Sequence, residues 1–136
     1  MTTPRVFSIK EADELVHDIE PMISSLVQKK MKMEKMHDEL LVLDLLGGER
    51  IQDRNTLEGK EYLRKSAELE ALILSFEEEI LKINQFGCFL KDIERGLVDF
   101  FHVRESQLVY LCWQRGEKKI NFWHSIDDEF EIRKPI

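Results

Sequence analysis

Apolar residues recur along the first third of the chain at steps that alternate three and four. They run Ala12, Leu15, Ile19, Met22, Leu26, Lys29, Met33, Met36, Leu40 and Leu43, with only Lys29 polar. That is a heptad period, and it predicts an amphipathic α-helix with one apolar seam. Ser8-Ile9-Lys10-Glu11 opens it as a capping box, in which the Ser hydroxyl and the Glu carboxylate each take a backbone N–H at the helix start. Pro21 removes an N–H and crowds the preceding turn, yet the register continues across it unchanged and Pro21 itself falls on the outer face. The expectation is a kinked helix or two helices meeting end to end, without a loop. Gly47-Gly48 ends the element.

A second helix is expected from Asn55-Thr56-Leu57-Glu58 to Gly87, with a stripe at Tyr62, Ser66, Leu69, Ile73, Phe76, Ile80 and Ile83. Two heptad segments joined by a short connection fold back as an antiparallel hairpin. Both helices carry a second apolar stripe as well. On the first it includes Val27, Met31, Leu41, Val42 and Leu45; on the second, Leu63, Ala67, Leu74 and Leu81. One partner helix covers one stripe, so the other needs the C-terminal segment, a second copy of the chain or a different protein.

Past Gly87 the period changes to that of strands. Cys88–Leu90 is short, Gly96–Val103 and Leu108–Trp113 are clear strands, and Ile120–His124 is a third. The polar runs Arg104–Gln107 and Gln114–Lys119 are the turns between them. An antiparallel meander of three or four strands follows, with the tail Phe130–Ile136 packing back on it. The fold class is α+β: a long heptad-like helical hairpin over residues 1–87, then a small antiparallel sheet over 88–136, in a single domain.

Composition narrows the function classes. The chain has 136 residues, 27 acidic and 20 basic side chains and a net charge of −7; its pI is near 5.2. Phosphate binding by charge wants a basic face, so no nucleic acid is expected. No apolar run approaches the roughly 20 residues that span a bilayer, and no export signal opens the chain. Cys88 and Cys112 lack a paired spacing, which points to reduced thiols in the cytoplasm.

Leu90-Lys91-Asp92, Gly96–Phe100, Tyr110–Trp113, Gly116-Glu117, Trp123-His124 and Phe130 with Arg133 and Pro135 follow in an order that resembles a family of small prokaryotic proteins, the domain of unknown function 2203. Phe7–Ala12 is similar to that family's usual helix start. The resemblance covers the whole chain and implies a helical hairpin plus small sheet, with no activity to carry over. Phe101 departs from the pattern, which usually has a proline there, and leaves its strand free to run longer.

Asp99, Cys112, Glu117 and His124 form the sharpest polar set. Asp99 sits between Val98 and Phe100 in a strand apolar on both faces, so its carboxylate is either paired or shifted in pKa. Strand ends converge in a meander, which would let Glu117 and His124 approach it. Carboxylate and imidazole ligands suit Zn²⁺ or another divalent metal, and the same groups serve as general acid and base. The plainer reading pairs Asp99 with Arg115 or Arg133 and gives His124 a backbone carbonyl. Cys112 with His124 as base is a nucleophile candidate, although cysteine is commonly just a buried small hydrophobe.

Glu14-x-x-His17 and Glu34-x-x-His37 repeat a di-iron element, but Glu14, His17 and Glu34 fall on outer positions and only His37 flanks the seam. Glu77-Glu78-Glu79 reads as a solvated face.

The sequence assigns no activity. Its leading expectation is a cytoplasmic homo-oligomeric structural or binding module that associates through its helices. The alternative is a small metal-dependent or acid/base enzyme using Asp99, Glu117 and His124, with a divalent metal as cofactor.

Overall fold

The computed structural model describes residues 5–136; Met1–Pro4, the start of the polar N-terminus, lie outside the described residues. The fold is α+β, with α1 (Ile9–Gly47), α2 (Glu49–Gln52) and α3 (Leu57–Gln85) ahead of β1 (Phe89–Asp92), β2 (Leu97–Arg104), β3 (Gln107–Gln114), β4 (Phe122–Ser125) and β5 (Lys134–Pro135). The strands form one antiparallel sheet in chain order. It has five strands where three or four were expected, because the short segment after Gly87 and the tail each add an edge strand.

The capping box forms: the Ser8 N–H donates to Glu11 Oε1 at 2.9 Å and the Glu11 N–H to Ser8 Oγ at 3.0 Å. The helix passes through Pro21 without a break, as the uninterrupted register predicts. Pro21 is exposed, so the carbonyl that lost its partner can bond to water. Thr56 caps α3, its hydroxyl accepting the Gly59 N–H at 3.0 Å.

The chain packs as two compact units: one runs through Val27 and resumes over Glu79–Ile136, and the other is Gln28–Glu78. The compositional change at Gly87 therefore does not coincide with the packing boundary. In the first unit, α1 buries Ala12, Val16, Ile19, Ile23 and Leu26. Leu15 and Met22, expected in the seam, are only half-buried. The reason lies in the sheet, which buries an apolar face of its own in the same unit through Val98, Phe100, Leu111 and Trp113. The Ile120 N–H donates to Asp13 Oδ1 at 2.6 Å, and the Phe7 N–H to the Phe101 carbonyl at 2.7 Å. The Phe7 ring stands edge-on to Phe100 with centroids 5.1 Å apart. Packing on a sheet beside a second helix turns the buried stripe toward Val16 and Ile23.

The second unit is thinner. Among its described residues Met36 and Ile51 are the buried large apolar side chains. Glu39 of α1 and Lys65 of α3 pair across the hairpin at 2.8 Å. Met31, Leu41, Leu45, Leu63 and Leu74 remain 45–74% exposed, so the hairpin itself leaves its second stripe uncovered.

One turn tests how tightly the sheet is specified. Gly96, between β1 and β2, has φ +66, and its carbonyl accepts the Arg115 N–H at 2.9 Å. A Cβ added there strikes the Arg115 side chain, whereas one added to Gly116, at φ +100, meets nothing within 4 Å. Both substitutions strain a left-handed backbone, by about 1 kcal/mol. Gly96→Ala should therefore cost about 1–3 kcal/mol more than Gly116→Ala in urea unfolding. Equal costs would show that the close approach to Arg115 is readily relieved.

Candidate functional site

Side chains alternate across a strand, and the register sorts them. Asp99 of β2 stands directly opposite Cys112 of β3, and Tyr110 opposite His124 of β4. Asp99, Cys112 and His124 thus share one face of three neighbouring strands, while Val98, Phe100, Leu111 and Trp113 share the other. Among the described residues, Asp99 and His124 are the buried charged or polar side chains, at 5% and 3% exposure.

The three groups meet. His124 Nε2 lies 3.4 Å from Asp99 Oδ1 and 3.3 Å from Oδ2. His124 Nδ1 lies 2.9 Å from the Ser125 carbonyl oxygen. A carbonyl only accepts, so Nδ1 carries the proton and Nε2 points into the cluster. One ligating atom from each of the three residues lies within 4.8 Å of the others.

Burial pushes the Asp99 carboxyl above its ordinary range, outweighing the opposing pull of His124, Lys91 and the Cys112 thiol. Burial, with the nearby Asp99 charge, pushes the Cys112 thiol up to about 12. A thiol held protonated in this way is a poor nucleophile without a cation to displace its proton. The Tyr110 hydroxyl is also raised, by burial and then by Asp99.

The cluster floors a pocket of about 420 Å³. Tyr110 forms part of the wall, its ring 5.3 Å from that of His124. Lys91 lies over the Phe89 and Tyr110 rings at 5.4 and 5.2 Å. The segment after β4 supplies Ile126, Asp128, Glu129, Phe130 and Glu131. Counting Asp99, five carboxylates face two basic side chains, Lys91 and Arg95, and the latter is paired with Glu131 at 3.2 Å.

Of the residues singled out in the sequence, Asp99, Cys112 and His124 come together and Glu117 does not. Glu117 pairs with Arg133 at 3.0 Å, accepts the Gln114 N–H at 2.7 Å and offers its own carbonyl to Trp113 Nε1 at 2.9 Å. It organises the turn after β3, where its distance along the chain from Cys112 gave no hint of that role. The plainer reading was half right: His124 does take a backbone carbonyl, but Arg133 goes to Glu117 and the partner of Asp99 is His124. Glu14, His17 and Glu34 are exposed, as their outer positions require, and His37, which flanks the seam, is exposed as well. Tyr110 was legible, since it lies two residues from Cys112 and so on the same face. The acidic wall after β4 carried no periodic signal.

Residues 5–136 match the family model described as uncharacterized conserved protein (DUF2203), and the chain belongs to that family. No curated protein and no solved structure matches it.

A carboxyl raised by burial stays protonated to higher pH in the native protein than in the unfolded chain. It therefore withdraws stability as pH climbs through the carboxylate range. With EDTA present, Asp99→Asn should gain stability relative to wild type as pH rises from about 4 to about 7. A wild type that gains on the variant instead would mean that the Asp99–His124 pair stabilises the fold.

Proposed function

We propose that the protein is a homo-oligomeric binding module of the cytoplasm, with the hairpin unit as its assembly surface and the sheet pocket as its ligand surface. The observation that carries the assembly is the apolar surface of the hairpin. Met31, Leu41, Val42, Leu45, Leu46, Leu57, Leu63 and Leu74 are each at least 45% exposed. At roughly 80 Å² of apolar surface each, they offer on the order of 600 Å² per chain, near the ~800 Å² per partner of a standard interface. A second copy presents the same stripe, so pairing about a two-fold axis covers both at once as a four-helix bundle.

The cytoplasmic placement is supported by two buried free thiols, Cys88 and Cys112. No helix among the described residues is long and apolar enough to cross a membrane, and the acidic balance disfavours nucleic acid. One observation favours a chemical role, namely the Asp99–His124 contact at the floor of a pocket. An enzyme of the acid/base or metal-dependent kind would use those two residues without Glu117.

Light scattering at micromolar concentration should give twice 16.2 kDa, falling to the monomer mass in a Leu41→Glu, Leu45→Glu variant. A wild-type mass of 16.2 kDa that does not change on concentration defeats the homo-oligomer.

A further inference from the structure

The geometry points to Asp99, Cys112 and His124 as the three protein ligands of one Zn²⁺ ion, whose fourth coordination position opens into the pocket. This gives the ligand surface of the module its chemistry. It does not depend on how the hairpins assemble.

The donor set selects the metal. One carboxylate oxygen, one imidazole nitrogen and one sulfur suit Zn²⁺ and its transition-metal neighbours, whereas Mg²⁺ and Ca²⁺ take oxygen ligands. Tetrahedral Zn²⁺ with bonds of about 2.0–2.3 Å holds its ligand atoms about 3.3–3.6 Å apart. His124 Nε2 and the Asp99 oxygens already stand at 3.3–3.4 Å, and all three ligand atoms lie within 4.8 Å. Side-chain torsions on fixed strands cover the remaining difference. The strands themselves are held in place, because β3 is paired on both sides and Cys112 faces Asp99 on one neighbour and Phe122 on the other.

Orientation is the stronger argument. The Nδ1–H of His124 donates to the Ser125 carbonyl at 2.9 Å, which turns Nε2 toward the Asp99 carboxylate, 3.3–3.4 Å away. An imidazole nitrogen and a carboxylate that face each other in a buried site are held together by something positive between them. A proton meets that need, and so does a metal ion. Metal-binding histidines characteristically give their other N–H to a backbone carbonyl or carboxylate, which fixes the tautomer. The Cys112 sulfur lies within 4.8 Å of a ligand atom of each of the other two residues, so all three groups converge on one place. On binding, the thiol proton leaves to solvent together with any proton on Nε2, so that Cys112 ligates as the thiolate and His124 through its Nε2 lone pair.

The pocket favours a cation as well. Asp92, Asp128 and Glu129 line the pocket with only Lys91 and Arg95 as bases to offset them, and a negative wall raises the local concentration of divalent ions. Three protein ligands and an open fourth position match sites that exchange a water for a small ligand, and differ from closed structural sites. Tyr110 is placed beside His124 to meet such a ligand.

The test uses tag-free, full-length protein dialysed against chelator and titrated with Co²⁺ as a spectroscopic stand-in for Zn²⁺. One equivalent should produce visible bands of tetrahedral intensity together with a near-ultraviolet thiolate-to-cobalt band, and Zn²⁺ should bleach both. Cys112→Ser should lose the thiolate band, and Cys88→Ser should keep it. His124→Gln and Asp99→Asn should each weaken binding at least about tenfold. The Leu41→Glu, Leu45→Glu variant should keep the full spectrum, so a failure of the assembly and a failure of the metal site are read separately. Folded wild-type protein that shows no thiolate band at one equivalent overturns the site, as does a band that survives Cys112→Ser.

Discussion

Strand alternation constrains everything else in the sheet unit. Val98 and Phe100 on β2, and Leu111 and Trp113 on β3, are buried against the apolar side. Once they are, Asp99 and Cys112 must face the other way, because successive side chains point to opposite faces. The register then fixes who meets whom: Asp99 opposite Cys112, and Tyr110 opposite His124. A slip of one residue would put a carboxylate against α1 and Phe100 in the pocket. The hydrophobic core thereby sets the positions of the polar cluster with no need for the cluster to stabilise anything.

Burial works against charge in this cluster. Burial pushes the Asp99 carboxyl up despite His124, Lys91 and a thiol donor beside it, so the protein holds an acid where the surroundings disfavour its charge. No described buried side-chain nitrogen or oxygen lacks a partner, and yet a carboxylate and an imidazole are both held out of water on the pocket side of the sheet. Departures of this kind from local consistency mark places where a structure gives up stability for a site. The contrast with Glu117 and Arg133 is instructive. That pair meets at 3.0 Å, with the guanidinium 4.0 Å over the Phe122 ring; it is an ordinary structural ion pair and opens on no chemistry.

Much of this was legible in the chain. The heptad steps gave the helices, and their unbroken phase across Pro21 correctly predicted helix on both sides. The strand alternation put Asp99 on a face with Phe101. What sequence could not supply was the third dimension. The choice of Val16 and Ile23 over Leu15 and Met22 depends on a sheet packed beside α1, which no helical period records. Glu117 looked equivalent to Cys112 as a neighbour of Asp99, and only the tight turn after β3 takes its carboxylate to Arg133. The edge strands Phe89–Asp92 and Lys134–Pro135 are too short to show a period.

The Ser125 carbonyl takes the Nδ1 proton of His124 and so leaves Nε2 to face Asp99 and Cys112. Two-bond ¹H–¹⁵N NMR of the histidine rings reads this directly. The His124 ring should be protonated at Nδ1, and its Nε2 resonance should shift on addition of one equivalent of Zn²⁺ while the Nδ1 proton persists. A ring protonated at Nε2 with Nδ1 bare, or one whose nitrogens ignore Zn²⁺, would contradict it.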